Sequence, residues 1–278
     1  MAIHRVTPSL PAVLINGLLL GLATVTLFPL VWMVAVSLMS PGEASTFPPP
    51  LVPGRPTFAN YRELFAHAGM GRYLFNSAML TSVVTLVSLF FNVAAGYGFA
   101  KLRFAGRDRI FKLLLAALVI PSQVAMVPLF LLLKHLGLVN TYGGVIVPAM
   151  ASIFGIFVVR QYALSIPDEL LEAARIDGAG EFRIFWWVIV PVIRPIIVTL
   201  AVFTSLGAWN DFMWPLIVLG DNDLYTLPVA LASLSREHVQ DNELMMAGAV
   251  LTILPVLLVF LVLQRYYMQG LMLGSVKE

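Results

Sequence analysis

The sequence predicts an all-α integral membrane protein with six transmembrane helices. Of its 278 residues, 59% are hydrophobic and only 12% are charged, and the mean hydropathy is +0.89. A soluble domain of this size carries far less apolar surface. The apolar stretches run for about 20 residues, which is the length of a helix that spans a bilayer. They do not alternate every second residue, as the strands of an outer-membrane barrel would.

Six apolar stretches carry this prediction. The first, from Pro11 through Val36, exceeds the roughly 7–15 residues of a signal-peptide core, so we expect it to be a span. The third contains Pro121 and Pro128 and the fifth begins with Pro191 and Pro195, so both spans should be kinked or loosened there. The predicted spans are residues 12–38, 73–100, 110–133, 142–162, 188–214 and 243–267.

The basic residues predict the orientation, because Lys and Arg accumulate in cytoplasmic loops. With the N-terminus inside, 12 of the 17 basic residues fall on the cytoplasmic side, most densely in the short 101–112 loop. We therefore expect one transmembrane domain over residues 1–278 with both termini cytoplasmic. Two outer segments, 40–71 and 215–242, are long enough to contact a soluble partner, and a solvated connection is the alternative for each.

Residue counts exclude several kinds of site. The chain has no Cys and four scattered His, so we expect no disulfide and no metal centre. None of the four Lys follows a Gly, so the chain has no Walker A phosphate loop for ATP. The net charge of +2 reflects the membrane topology, and we expect no nucleic-acid partner. No catalytic residue is predicted.

The cytoplasmic segment 165–186 lies between the fourth and fifth spans and is too charged to cross the membrane. We predict two short helices joined at a glycine. Ser165 followed three residues later by Asp168 is a helix-start signal. Gly178 after Asp177 should end the first helix, because glycine readily takes the left-handed conformation at a helix end.

Small side chains lie beside an acid in the first of these helices, at Glu172, Ala173 and Ala174. Small residues let a partner approach closely, and the carboxylate can pair with an Arg of that partner. The segment is therefore a candidate docking element. From these residues alone, an ordinary amphipathic interfacial helix is the alternative.

A longer pattern resembles a known family. The run Glu172-Ala173-Ala174, then Gly178, then Val188-Ile189-Val190-Pro191 is similar to the EAA loop of binding-protein-dependent ABC importer permeases. The family pattern ends Ile-x-Leu-Pro, and the two Val replacements here are conservative. The flanking sequence resembles the six-helix subunit of carbohydrate permeases of the maltose-transporter type. The matching stretches are Asn60-Tyr61, Asn76-Ser77, Pro121-Ser122-Gln123, Gly137 through Tyr142, Ile166-Pro167 and Trp209 through Pro215.

This resemblance implies a permease subunit of an ATP-driven sugar importer in the bacterial inner membrane, forming half of the translocation pathway. It implies a homologous sister permease, two ATP-binding subunits that hold ATP and Mg, and an extracytoplasmic substrate-binding protein. Membrane lipid is the remaining partner, and no cofactor is expected on this chain. By the same resemblance the segment 165–186 couples the permease to an ATPase subunit. The implied coupling residues are Glu172, Ala173, Ala174, Asp177, Gly178 and Pro191.

A polar and aromatic cluster near the end of the fifth span is a candidate substrate pathway. Asp211 is the only acid predicted within a span, and an ionisable residue there is costly enough to indicate function. Sugars stack on aromatic rings and donate hydroxyl hydrogen bonds to amides and carboxylates. The pathway residues predicted on this ground are Trp209, Asn210, Asp211 and Phe212. An outer-leaflet aromatic belt is the alternative. Hydrogen bonding between helices is the predicted role of Asn76, Asn92 and Gln123.

Other functions have less support in the residues. A secondary sugar or ion transporter would normally carry inverted repeats and paired intramembrane charges, and we find neither. An intramembrane enzyme would need a buried catalytic constellation, which one Asp and no His within the spans cannot supply. The sequence does not name the solute, and an importer of a non-sugar solute such as a polyol phosphate stays open.

Overall fold

Helices and the segments that connect them make up the described part of the chain, residues 10–237 and 241–272, in this computed structural model. No strand occurs within those residues. The helices are α1 (Leu10–Ser37), α2 (Ala59–Ala66), α3 (Met70–Lys101), α4 (Arg107–Ala117), α5 (Ser122–His135), α6 (Tyr142–Ala149), α7 (Ile153–Leu164), α8 (Asp168–Ile176), α9 (Glu181–Ile184), α10 (Val190–Val192), α11 (Arg194–Asn210), α12 (Met213–Val218), α13 (Leu227–Glu237) and α14 (Asn242–Met272). One π-helical turn, Phe185–Ile189, connects α9 to α10.

Four helical segments are long and apolar enough to cross a bilayer on their own. They are Leu14–Ser37, Met70–Lys101, Tyr142–Leu164 and Asn242–Val262. Two more reach spanning length only as bent pairs, α4 with α5 at 108° and the α9–α10 segment with α11 at 79°. Counting each bent pair as one span gives six, which agrees with the predicted number.

The bends are where the structure departs from the continuous spans predicted at 110–133 and 188–214. The first lies just before α5, where Pro121 has a ψ of 131° and so leaves the helical range. The second lies at Ile193, immediately before Arg194 and Pro195. Proline lacks an N–H and is tolerated in the first turn of a new helix. The predicted loosening at Pro121 and Pro195 is confirmed, whereas Pro128 lies inside α5 without ending it.

The first of two compact units contains residues 10–69, 231–237 and 241–254. Along α1, large apolar side chains such as Leu18 and Val25 are exposed, as expected of a helix that faces lipid. The helix α2 holds the end of α1, because the Asn60 side-chain amide donates to the carbonyls of Ser37 and Met39 at 3.0 and 2.9 Å. The helix α2 lies within the predicted outer segment 40–71.

Glu243, in the first turn of α14, is fully buried, and its Oε1 accepts a hydrogen bond of 2.7 Å from the Ala44 N–H. The candidate span Asn242–Val262 includes this residue, as does the predicted span 243–267, so the expectation that Asp211 is the only acid within a span is wrong. An acid is tolerated in the first turn of a spanning helix because the helix dipole and free backbone N–H groups favour negative charge there.

The second unit contains residues 70–230 and 255–272, and α3 packs against α7 and α11 at its centre. At Gly96 the two backbones are so close that an added Cβ would lie 2.5 Å from a Val159 methyl carbon. The buried cluster around this contact consists of Val93, Tyr97, Val159, Ile166, Leu171, Ile184, Phe185, Ile189, Ile193 and Leu200. It includes residues of α8 and α9, so the predicted cytoplasmic segment shares a core with the spans.

Two of the three predicted interhelical hydrogen bonds are confirmed. The Asn76 Oδ1, on α3, accepts from the Tyr142 hydroxyl of α6 at 2.8 Å. The Asn76 amide also donates to the carbonyls of Asp223 and Tyr225 at 2.9 and 3.0 Å. The Asn92 Oδ1 accepts from the Ser152 N–H at 2.8 Å. Gln123 instead contacts its neighbour Ser122.

Candidate functional site

The segment between α7 and α11 forms a helix, a glycine turn and a second helix. Gly178 has a φ of +80°, in the left-handed region that favours glycine. Its N–H donates to the Arg175 carbonyl, and the Ala179 N–H donates to the Ala174 carbonyl, both at 3.0 Å. These two bonds are the Schellman motif that ends a helix. The predicted stop at Gly178 is therefore confirmed.

The helix α8 has one buried and one exposed side. Leu171 is only 1% exposed and packs into the shared core, while Ile176 is 86% exposed. Of the six predicted coupling residues, five lie on this segment: Glu172, Ala173, Asp177 and Gly178 are exposed and Ala174 is half-buried. The sixth, Pro191, is exposed in α10. The exposed side of α8 therefore presents small and apolar groups beside acids.

A lysine at the end of α3 holds the start of α8. The Lys101 Nζ, on a side chain 6% exposed, donates to the Ile166 carbonyl and to Asp168 Oδ1, both at 2.6 Å. This hydrogen bond and the lysine charge lower the pKa of Asp168 below its ordinary value of 3.8. A carboxyl whose folded pKa is lowered stabilises the fold above its unfolded pKa, and its contribution is lost as the pH falls through the folded value. The contact is therefore complete at neutral pH.

Glu181 joins the two short helices to α3. Its Oε1 accepts from Arg175 Nε and its Oε2 accepts from the Tyr97 hydroxyl, both at 2.8 Å. The hydrogen bond to Glu181 raises the pKa of Arg175, so the guanidinium stays charged. Sequence reasoning missed these anchors. The available signal was the set of charged residues at the predicted cytoplasmic helix ends, which does not say which charges pair.

Replacing Lys101 with Met should loosen α8. The Ile166 carbonyl would lose its charged donor, and an unmet hydrogen bond of this kind costs about 1–3 kcal/mol. Hydrogen–deuterium exchange over residues 166–176 should then rise by about tenfold. Lys112→Met, the same change at an exposed position of α4, is the matched control and should leave that exchange unchanged. Equal exchange in the two variants would show that Lys101 does not anchor the segment.

A cavity of about 560 Å³ lies elsewhere in the same unit, between α3, α5, α6, α7, α11 and α12. Of the four predicted pathway residues, only Asp211 lines it. Trp209 is buried beside it, Phe212 is half-buried, and the exposed Asn210 amide donates back to the Leu206 carbonyl at 2.8 Å. The predicted pathway residues 209–212 thus lie where α11 ends and α12 begins, and Asp211 there has a ψ of 116°.

Trp214, which belongs to the same aromatic cluster around Asp211 in the sequence, also lines the cavity. Its indole N–H donates to the Gly144 carbonyl at 3.1 Å, so the ring is fixed between α12 and α6. The Asp211 Oδ1 accepts from the Trp214 backbone N–H at 3.3 Å. The acid and the ring are therefore positioned together at the start of α12.

Comparison with known proteins identifies the family. The model of the binding-protein-dependent transport system inner membrane component family matches residues 92–272. These residues include the glycine turn at Gly178, the bend before α11 and the break at Asp211. The chain belongs to this family. The resemblance seen in the EAA pattern is thereby confirmed, and the permease is a multi-pass inner-membrane component of a transport system.

Individual relatives cover nearly the whole permease. It is 39% identical to the arabinooligosaccharides transport system permease protein AraQ of Halalkalibacterium halodurans, over 92% of this chain and 93% of the relative. It is 35% identical to the lactose transport system permease protein LacG of Rhizobium radiobacter, over 96% and 97%. A bacterial ABC transporter that imports the acidic polysaccharide alginate contains a chain of the same fold, with a TM-score of 0.81, 25% identity and coverage of 91% and 95%.

Proposed function

We propose that this permease is a subunit of an ATP-driven sugar importer, in which it forms half of the translocation pathway and couples that pathway to a separate ATPase. The sugar-transport names of its relatives support the class of solute. The observation that carries the coupling role is the two-sided α8, whose exposed side is free for a partner and whose buried side is held by the spans.

The contacts of α8 suit the transmission of movement. A partner that seats on Glu172 and Ala173 would push a helix whose other side is fixed to α3 through Lys101 and through Glu181. Packed elements joined in this way move as rigid bodies. Asp177 and Gly178 shape the docking surface, and Pro191 lies where the segment joins α11. Closure of the ATPase subunits on ATP would thus shift the helices around the cavity.

The proposed partners supply the functions that this chain lacks. With no Walker A loop on this chain, ATP and Mg belong on two separate ATP-binding subunits, and a homologous sister permease completes the pathway. With both termini cytoplasmic, the outer segments 40–71 and 215–242 face an extracytoplasmic substrate-binding protein. The described residues of the second segment include a 3-10 turn at Asn222–Leu224 and the helix α13.

The cavity is the proposed substrate pathway of this half. Asp211 and Trp214 offer a hydrogen-bond acceptor and an aromatic face at one end of it. Trp209, Asn210 and Phe212 flank that end at the break between α11 and α12, where a small backbone change would alter the cavity wall.

Reconstitution tests the proposal. The permease alone in vesicles should neither hydrolyse ATP nor accumulate sugar. Vesicles that hold it with its sister permease and two ATPase subunits should take up sugar when ATP and the binding protein are supplied. Glu172→Ala should lower sugar-stimulated ATP hydrolysis severalfold, since half of an interfacial charge pair would be missing. Glu169→Ala, an exposed acid one turn earlier, is the control. Uptake by the lone permease, or full coupling in Glu172→Ala, would contradict the proposal.

A further inference from the structure

The relatives leave the charge of the solute open, because they include transporters named for neutral sugars and one for an acidic polysaccharide. The lining of the cavity bears on this question directly. Among the described residues that line it, Asp211 is the only charged one. No Lys, Arg or His contributes to that lining, so no side chain of the cavity wall would neutralise the charge of an anionic solute.

The rest of the lining is polar without charge or apolar. Six hydroxyl side chains contribute to it, from Ser77, Ser88, Ser122, Ser152, Thr204 and Thr226. The Thr226 hydroxyl is buried and lacks a hydrogen-bond partner among the described residues. Aromatic faces are present at Phe154, Phe203 and Trp214. Hydroxyls, a carboxylate and aromatic rings together match an uncharged polyhydroxylated molecule.

We propose that this cavity selects uncharged polyhydroxylated solutes and disfavours anions through the Asp211 carboxylate. The proposal rests on the proposed function and narrows it, because acidic sugars and polyol phosphates become poor solutes. Two like charges about 6 Å apart in a partly buried site, with an effective dielectric constant of about 20, shift an equilibrium by on the order of a hundredfold. Water in the cavity screens part of this, so we expect a discrimination of about tenfold.

The charge of the cavity can be measured without transport. The chain has no cysteine, so one engineered thiol is unique. Gly207 lines the cavity, and a Cβ added there would have no atom within 4 Å, so Gly207→Cys fits without displacing its surroundings. In the assembled transporter, this thiol should react faster with a cationic methanethiosulfonate than with an anionic one of similar size. Adding Asp211→Asn should lower the ratio of the two rates by about tenfold.

Glu63→Gln is the matched control, since it also removes one carboxylate charge, but from an exposed side chain outside the cavity. It should leave the ratio of rates unchanged. A ratio that Asp211→Asn changes by less than twofold, or that Glu63→Gln changes equally, would overturn the proposal.

The second arm uses transport in the assembled complex. A neutral disaccharide should be taken up about tenfold faster than a uronic-acid disaccharide of the same size when both saturate the binding protein. Asp211→Asn should narrow this difference. Equal uptake of the two by the wild type would overturn the charge selection. If the wild type takes up no carbohydrate at all, the proposed function fails, while the labelling arm still decides whether Asp211 sets the charge of the cavity.

Discussion

Gly178→Leu should uncouple or dissociate the ATPase subunit, with sugar-stimulated ATP hydrolysis reduced at least tenfold. The glycine has a φ of +80°, and an L-residue with a branched side chain pays roughly 1–2 kcal/mol or more to adopt it. The Schellman bonds that fix α9 relative to α8 would therefore be strained. The leucine would also stand on the surface that we assign to docking. Co-purification of the ATPase subunit and its sugar-stimulated activity are the measurements.

Gly180→Leu separates the effect of backbone strain from the effect of a bulky side chain on the docking surface. Gly180 is also exposed and also has open space around an added Cβ, but its φ is −71°, which any residue adopts. We expect this control to retain most of the coupling, while the spans of both variants insert normally. Wild-type co-purification and ATP hydrolysis in Gly178→Leu would mean that the segment is not the coupling element.

Gly96→Ala should be among the most destabilising single changes in the second unit. The added methyl would lie 2.5 Å from Cγ1 and 2.6 Å from Cβ of Val159, and 3.1 Å from the Arg160 backbone nitrogen. Since α3 and α7 are packed backbone to backbone there, the overlap is relieved only by moving a helix, at a cost of about 3 kcal/mol. The thermal unfolding midpoint of the purified protein in detergent should fall by several degrees.

Two further variants make this prediction specific. Gly98→Ala, two residues later in α3, meets nothing nearer than a Leu102 methyl carbon at 4.0 Å and should be neutral or slightly stabilising. Combining Gly96→Ala with Val159→Gly moves the side chain from one helix to the other and should recover part of the loss. An unchanged midpoint in Gly96→Ala would show that the two helices are not in tight contact in solution.

The features that sequence predicted well are those set by local signals. Span lengths follow from runs of apolar residues, and the turn at Gly178 follows from one glycine after a short amphipathic helix. Proline marked the positions of both bends, but a missing N–H does not fix an angle, and the 108° and 79° values depend on packing against other helices.

The site was predicted less completely, because its geometry depends on residues distant in sequence. Glu181 meets Tyr97 across 84 positions, and no local pattern names that pair. Asn210 and Asp211 are adjacent in sequence, yet the end of α11 between them directs only Asp211 to the cavity. Adjacent residues in a polar motif can therefore take different roles when a helix ends inside the motif.

The length of α3 has a mechanical consequence. Its 32 residues contain no proline and extend about 48 Å, so it behaves as a stiff strut. Asn76, in its second turn, donates hydrogen bonds to the backbone carbonyls of Asp223 and Tyr225. Lys101, at its other end, donates to the Ile166 carbonyl just before α8. A pivot of about 5° around the middle of such a strut carries each end about 2 Å in opposite directions. That displacement is enough to make or break a hydrogen bond. A force on α8 would therefore change the hydrogen bonds that Asn76 makes at the other end of α3.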